Sequence, residues 1–396
     1  MRDKPYCKAP WIGLAYESTM GCKPCCEYQG TLASNDTSTT LGAFNGRHTD
    51  YIKSDYLKDF KKMMYNDEMS AGCRQCIDHE STKDSPSRRQ KYKKYEINEH
   101  GDNKIVRFDY RAGNKCNLMC RMCHPEASSM REEEEIKHGT IESIFRIENT
   151  DDAYDIDLSK CDTLSILGGE PSIDLGVRKW INHIKDLDIH VVVTTNATNT
   201  SDKWFDVLKQ LKNLEIWLSI DATGDVNDFQ RKGSDWNEVK SNIIKYRDEF
   251  KNVSIQLTAS SINFTTLDTW WEEMMELDVP VFTSGVFFPE EYSLQSIPEK
   301  YKEEQVTWLK KWMQRNSAGD TLTAQELNAI TDYDEWKKNK PSRQLIEAQR
   351  AITILENNPY REDYNHKFKR EVKKMDGWRN ENISDLDYRF QEILNA

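Results

Sequence analysis

The middle of this sequence predicts an α/β fold built on a parallel sheet. Two observations carry that prediction: short apolar runs alternate with amphipathic segments, and turn residues punctuate the joins. In chain order the strand-like runs are 105–108, 164–167, 190–195, 214–220, 253–258 and 279–287. Helix-like segments lie between them near 126–138, 176–186, 202–212, 235–250 and 265–276. Such alternation calls for right-handed crossovers and a parallel sheet. A sheet of this kind binds ligands at the carboxyl ends of its strands, so the residues just after each run are the first candidates for chemistry.

With 396 residues there is room for two or three domains, at about 100–200 residues each. The sequence divides into a cysteine-rich module at 1–80, a polar and basic linker at 81–103, the α/β core at 104–297, and a helical extension at 298–396. The net charge of −12 argues against non-specific nucleic-acid binding, which needs a cationic footprint. No stretch approaches 18 consecutive apolar residues, so no membrane span is expected. Met1-Arg2-Asp3-Lys4-Pro5 opens without an apolar stretch, which predicts no secretory signal and a cytoplasmic protein.

Ten cysteines are the strongest chemical signal, and nine of them precede residue 124. In a cytoplasmic protein clustered thiols read as metal ligands rather than disulfides. Cys116, Cys120 and Cys123 follow the first predicted strand with C-x3-C-x2-C spacing. Three thiolates can hold three irons of a [4Fe–4S] cluster, whose full protein complement is four. The missing ligand leaves one iron open, as catalytic sites require. Zinc at Cys116, Cys120, Cys123 and His124 is the alternative, although the adjacent Cys123 and His124 close a tetrahedron poorly.

This loop resembles that of the radical S-adenosylmethionine (SAM) superfamily. The resemblance implies a partial (β/α)6, TIM-like barrel and an open iron chelated by the amino and carboxylate groups of SAM. It also implies reductive cleavage to a 5′-deoxyadenosyl radical, and a reducing partner such as flavodoxin or ferredoxin. Met122 stands where the family commonly has an aromatic residue. Further along, Gly168, Gly169, Glu170 and Pro171 resemble the segment that binds the SAM amino group. Asn196, Ser219 and Arg231 resemble strand-end and loop residues that reach the ribose, the ligand body and the carboxylate of SAM. Hydrogen bonding within the strand ends is the alternative for Asn196 and Ser219.

Residues 1–80 carry Cys7, Cys22, Cys25, Cys26, Cys73 and Cys76 in an irregular pattern, which predicts a module held by metal more than by an apolar core. Cys7, Cys26, Cys73 and Cys76 would close a second site, with Cys25 able to replace Cys26. A zinc knuckle of Cys22, Cys25, Cys73 and Cys76 is the other arrangement. The module resembles the twitch and SPASM auxiliary-cluster modules of radical SAM enzymes. That resemblance implies a second, auxiliary [4Fe–4S] cluster and a peptide, protein or amino-acid-derived substrate. The other readings are an iron–sulfur or zinc protein acting as electron carrier or scaffold, and a nucleotide-modifying radical enzyme using the basic strip at 83–94. Elsewhere, Cys161 reads as a buried hydrophobe, 132–135 as a solvated acidic helix face, and Trp270, Trp271, Trp308 and Trp312 as packing residues. Glu290, Glu291 and Tyr292 follow the last predicted strand and are weaker substrate-site candidates.

Overall fold

A computed structural model describes residues 6–19, 21–29, 44, 47–66, 68–82, 87–98, 104–144, 151–317 and 343–395. Positions 83–86 and 99–103 of the expected linker and basic strip lie outside the described residues, as does 318–342 of the extension.

The strands are Gly13–Glu17 (β1), Gly21–Lys23 (β2), Arg107–Arg111 (β3), Met119–Cys120 (β4), Thr163–Leu167 (β5), His190–Thr195 (β6), Asn213–Ser219 (β7), Arg231–Lys232 (β8), Val253–Ala259 (β9) and Val281–Gly285 (β10). Eight of them form one mostly parallel sheet in the order β10-β9-β7-β6-β5-β3-β1-β2, and β4 with β8 makes a separate ribbon. All six strands expected from apolar runs are present, and so are the five helices between them. The helix Leu175–Ile184 shows why. Asp174 caps its first turn by accepting from the Gly176 amide, and Val177, Trp180, Ile181 and Ile184 recur on one buried face.

Two compact units make up the chain: 1–80, 86–119 and 123–217 in the first, and 81–85, 120–122 and 218–396 in the second. In the first unit β1 runs parallel to β3, from Gly13 opposite Arg107 to Glu17 opposite Arg111. The cysteine-rich module therefore supplies sheet strands that its composition did not suggest. It also contributes most of an apolar core. Trp11, Ile12, Tyr28, Phe60, Met64 and Tyr92 pack there with Cys25.

Alternation along β3 sorts its side chains by face. Phe108 and Tyr110 pack on Trp180, at 6.0 and 4.6 Å between ring centroids. Arg107, Asp109 and Arg111 take the opposite face. In the second unit Trp270 and Trp271 are fully buried and meet edge to face at 5.2 Å, as packing residues should. β10 is a sheet edge, and the helix Arg343–Glu356 covers it: Glu347 Oε2 accepts from the Thr283 amide at 2.8 Å. Among the described residues no helix is long and apolar enough to cross a membrane. Cys161 is buried, as expected, with its Sγ 3.4 Å from the Thr163 carbonyl.

Candidate functional site

Three strand ends lie side by side in the first unit. β3 pairs with β5, Arg111 opposite Leu167, and β5 pairs with β6, Ile166 opposite Val193. The segments that follow them are the cysteine loop, the turn Gly168-Gly169-Glu170, and Asn196.

Polar side chains that spacing rules pass over fix the cysteine loop. Asn114 is buried and donates at 2.9 Å both to Glu132 and to the Pro125 carbonyl. Ser129 Oγ accepts from the Cys116 amide at 3.1 Å, and Ser128 Oγ donates to the Leu118 carbonyl at 2.9 Å. Ser128 is also the N-cap of the helix Ser129–Lys137. From that helix Arg131 Nε reaches the Cys123 carbonyl at 3.4 Å, while its guanidinium pairs with Glu134 and, at 2.7 Å, with Glu135. The expected solvated face at 132–135 is thereby corrected. Glu132, Glu134 and Glu135 are buried because they balance Arg131 and hold Asn114; Glu133 alone is exposed.

His124 Nδ1 lies 3.1 Å from Glu126 Oε2. Among the described residues no three His, Cys, Asp or Glu side chains are arranged to hold a single metal ion.

The glycine turn lies directly on this loop. A Cβ on Gly169 would stand 2.3 Å from the Lys115 carbonyl oxygen and 2.5 Å from that of Asn114. Backbone bonds cross the same contact, from the Gly169 amide to Gly113 O (3.2 Å) and from the Glu170 amide to Lys115 O (2.7 Å). Gly168 adds a φ of +152°, a conformation L side chains avoid. Gly169→Ala should force the loop away and destabilise the protein by about 1–3 kcal/mol in urea titration, the usual cost of overpacking.

Glu170 is only 1% exposed. Its Oε1 accepts from the Ser172 amide (2.9 Å) and Thr195 Oγ1 (2.7 Å), and its Oε2 from the Asn196 amide (2.7 Å). A carboxylate has about four acceptor positions, so most of its capacity serves to tie the turn to the end of β6. Pro171 begins the short 3-10 turn that follows. Asn196 Nδ2 in turn donates to Asn117 Oδ1 at 3.0 Å, and Asn117 Nδ2 to Thr198 Oγ1 at 2.9 Å. Asn117, inside the cysteine motif, was not singled out by the sequence. Glu170→Gln would turn a donor towards these donors, an expected loss of about 1–3 kcal/mol measurable by urea unfolding.

In the second unit the residue that organises the end of β7 is Asp221, two positions beyond Ser219. It is buried and accepts from the Thr258 amide at 2.9 Å and from Gln230 Nε2 at 3.3 Å. Arg231 Nη2 pairs with it at 2.5 Å. Burial pushes the Cys120 thiol up, and the Arg231 charge works against that.

Arg121 follows Cys120 and its side chain is fully buried. It pairs with Asp376 at 2.7 Å and Glu381 at 2.6 Å, and lies over the Phe229 ring at 3.7 Å. The extension thus grips the motif. Burial alone would raise the Glu381 carboxyl, but Lys232 and Arg121 hold it below the usual carboxylate range. A depressed carboxyl stabilises the fold above its unfolded value of about 4.3, and that contribution is lost as pH falls through the folded value. Acid urea titrations should therefore show wild type losing stability more steeply below about pH 4 than Glu381→Gln does.

A second cluster of sulfurs lies in the N-terminal module. Cys7, Cys25, Cys73 and Cys76 line one small cavity, with Arg88 and Arg89 on its wall. Burial pushes all four thiols up, Cys7 to about 12, and each feels neighbouring sulfurs or carboxylates. Backbone amides of Arg89 and Arg88 oppose the shift at Cys76. Four clustered thiols, Cys25 buried and the others partly buried, that repel one another once ionised are a donor set with the chemistry of a metal centre. Of the two alternatives, Cys25 lines this cavity and Cys26 is not among its lining residues. Adjacent residues point apart, and Cys26 Sγ instead accepts from Arg88 Nη2 at 2.9 Å. Cys22 sits in β2 with its backbone bridged to Phe44 and is not among the lining residues.

In the first unit Cys116 and Cys123 therefore lie on segments braced by a glycine turn at neighbouring parallel strand ends. Residues 110–277 match the family model of the Radical SAM superfamily. That match, to a superfamily of enzymes, takes in the cysteine loop, the glycine turn and Arg231. No curated protein matches the chain. Among solved structures it is similar to Streptococcus suis SuiB bound to S-adenosylmethionine, with 15% identity over 54% of this chain and 45% of that one and a TM-score of 0.37. Tagged anSMEcpe with bound AdoMet shows 18% identity over 55% of this chain and 60% of that one, with a TM-score of 0.42. The chain thus aligns with about half to three-fifths of those proteins' length.

Proposed function

We propose that Cys116, Cys120 and Cys123 hold a [4Fe–4S] cluster that cleaves SAM reductively, and that the resulting 5′-deoxyadenosyl radical abstracts hydrogen from a peptide, protein or amino-acid-derived substrate. The observation that carries this reading is the C-x3-C-x2-C loop braced by the Gly168-Gly169-Glu170 turn, in the segment that matches the superfamily. When bound, the cluster would supply one electron and an iron with an open coordination position.

The chain's own residues supply binding and alignment. Gly169 lets the turn lie against the loop, and Glu170 and Asn117 tie it to the end of β6. Arg231, oriented by Asp221, is the guanidinium suited to the SAM carboxylate. Asn196 and Ser219 complete the expected SAM contacts. The second site, Cys7, Cys25, Cys73 and Cys76, would hold an auxiliary [4Fe–4S] cluster, and the resemblance to twitch modules favours a polypeptide substrate. A cytoplasmic reductant of the flavodoxin or ferredoxin class would deliver the electron.

Anaerobic reconstitution followed by SAM and dithionite tests the reading. 5′-Deoxyadenosine should accumulate, detected by mass spectrometry. Intact SAM in protein loaded with iron and sulfide would overturn it.

A further inference from the structure

Arg88 stands on the wall of the four-cysteine cavity with its side chain 13% exposed. Its Nη2 donates to Cys26 Sγ at 2.9 Å, and Glu27 Oε1 is 3.7 Å away. Asp109 of β3 is 2% exposed and feels the charges of Arg88 and Arg107. Burial alone would push that carboxyl up, but Arg88 and Arg107 outweigh it and hold it below the usual carboxylate range. A buried cation thus stands on the cavity wall beside the cysteines and is held there by Cys26. Arg89 is placed differently. Glu80 takes its Nε at 3.0 Å and its Nη2, and the guanidinium lies over Tyr6 at 4.3 Å, so its charge already has a close carboxylate partner.

We propose that Arg88 sets the reduction potential of the group held by Cys7, Cys25, Cys73 and Cys76, and that Cys26 positions it for that task. This rests on the auxiliary-cluster reading above. Four thiolates around an iron–sulfur cube leave the assembly net negative, and each added electron makes it more so. A fixed cation in a site shielded from water favours the reduced state, because net charge and burial govern the potentials of such clusters. Arg88 makes the group an easier electron acceptor.

The test uses full-length chain carrying Cys116/Cys120/Cys123→Ala, so that only the second site is loaded. Iron is counted, and the potential is read by redox titration monitored by electron paramagnetic resonance. Arg88→Gln should keep about four irons per chain. At a fixed potential its ratio of reduced to oxidised cluster should fall about tenfold, which is about 59 mV for a one-electron couple. Arg88→Lys keeps the charge and should stay within about threefold of the parent, a rescue that a purely structural role would not give. An unchanged ratio in Arg88→Gln overturns the role of Arg88. If Arg88→Gln holds no iron, Arg88→Lys decides, and a tenfold shift there overturns the assignment. A parent with no iron overturns the auxiliary-cluster reading itself.

Discussion

Replacing Cys116, Cys120 and Cys123 with alanine is expected to abolish SAM cleavage and to lower reconstituted iron from about eight to about four per chain. The expectation follows from two separate sulfur sets. The first lies on the loop after β3. The second lines the cavity of the N-terminal module, where Cys25 is part of a core with Trp11, Phe60 and Met64. Removing the first set leaves the second intact, so the remaining iron should persist while 5′-deoxyadenosine falls below detection. Iron and sulfide assays with mass spectrometry of the nucleoside check both halves. Complete loss of iron in the triple variant would mean that the two sites do not load independently.

The second large effect separates two neighbours in sequence. Cys25→Ala should cost the auxiliary site its iron, about four per chain, and Cys26→Ala should retain it. Cys25 lines the cavity with Cys7, Cys73 and Cys76, whereas Cys26 Sγ meets Arg88. Equal iron in the two variants, or loss only in Cys26→Ala, would reverse the assignment. Iron counts on both proteins, prepared in parallel under nitrogen, give the answer.

Spacing was blind to that distinction because the two thiols are one residue apart and differ only in direction. The sheet core was legible for the opposite reason. Strands 163–167, 190–195 and 253–259 are apolar runs buried on both faces, and such runs stand out in composition. β1 was missed, since Gly13-Leu14-Ala15-Tyr16-Glu17 is short, sits among cysteines, and meets its partner β3 only after the whole module has intervened. Residues 132–135 misled for another reason. Four consecutive carboxylates read as solvated until Arg131 and Asn114 are placed beside three of them. Charge in a sequence gives sign, and only the fold gives partners. The helix Gly224–Gln230 escaped because its Gly, Asp and Asn content favours turns. The candidate site was legible as motifs, and its bracing by Asn117, Ser128, Ser129 and Arg121 was not, because none of these follows a spacing rule.

The most direct measurement is the coupling between isotope-labelled SAM and the reduced cluster. Protein reconstituted without oxygen is mixed with SAM carrying nitrogen-15 in its amino group and oxygen-17 in its carboxylate, then examined by electron–nuclear double resonance. Hyperfine coupling to both labels, lost in the Cys116/Cys120/Cys123→Ala protein, is the predicted result. An iron centre blind to both labels, or zinc as the sole metal held by those three thiols, would contradict it.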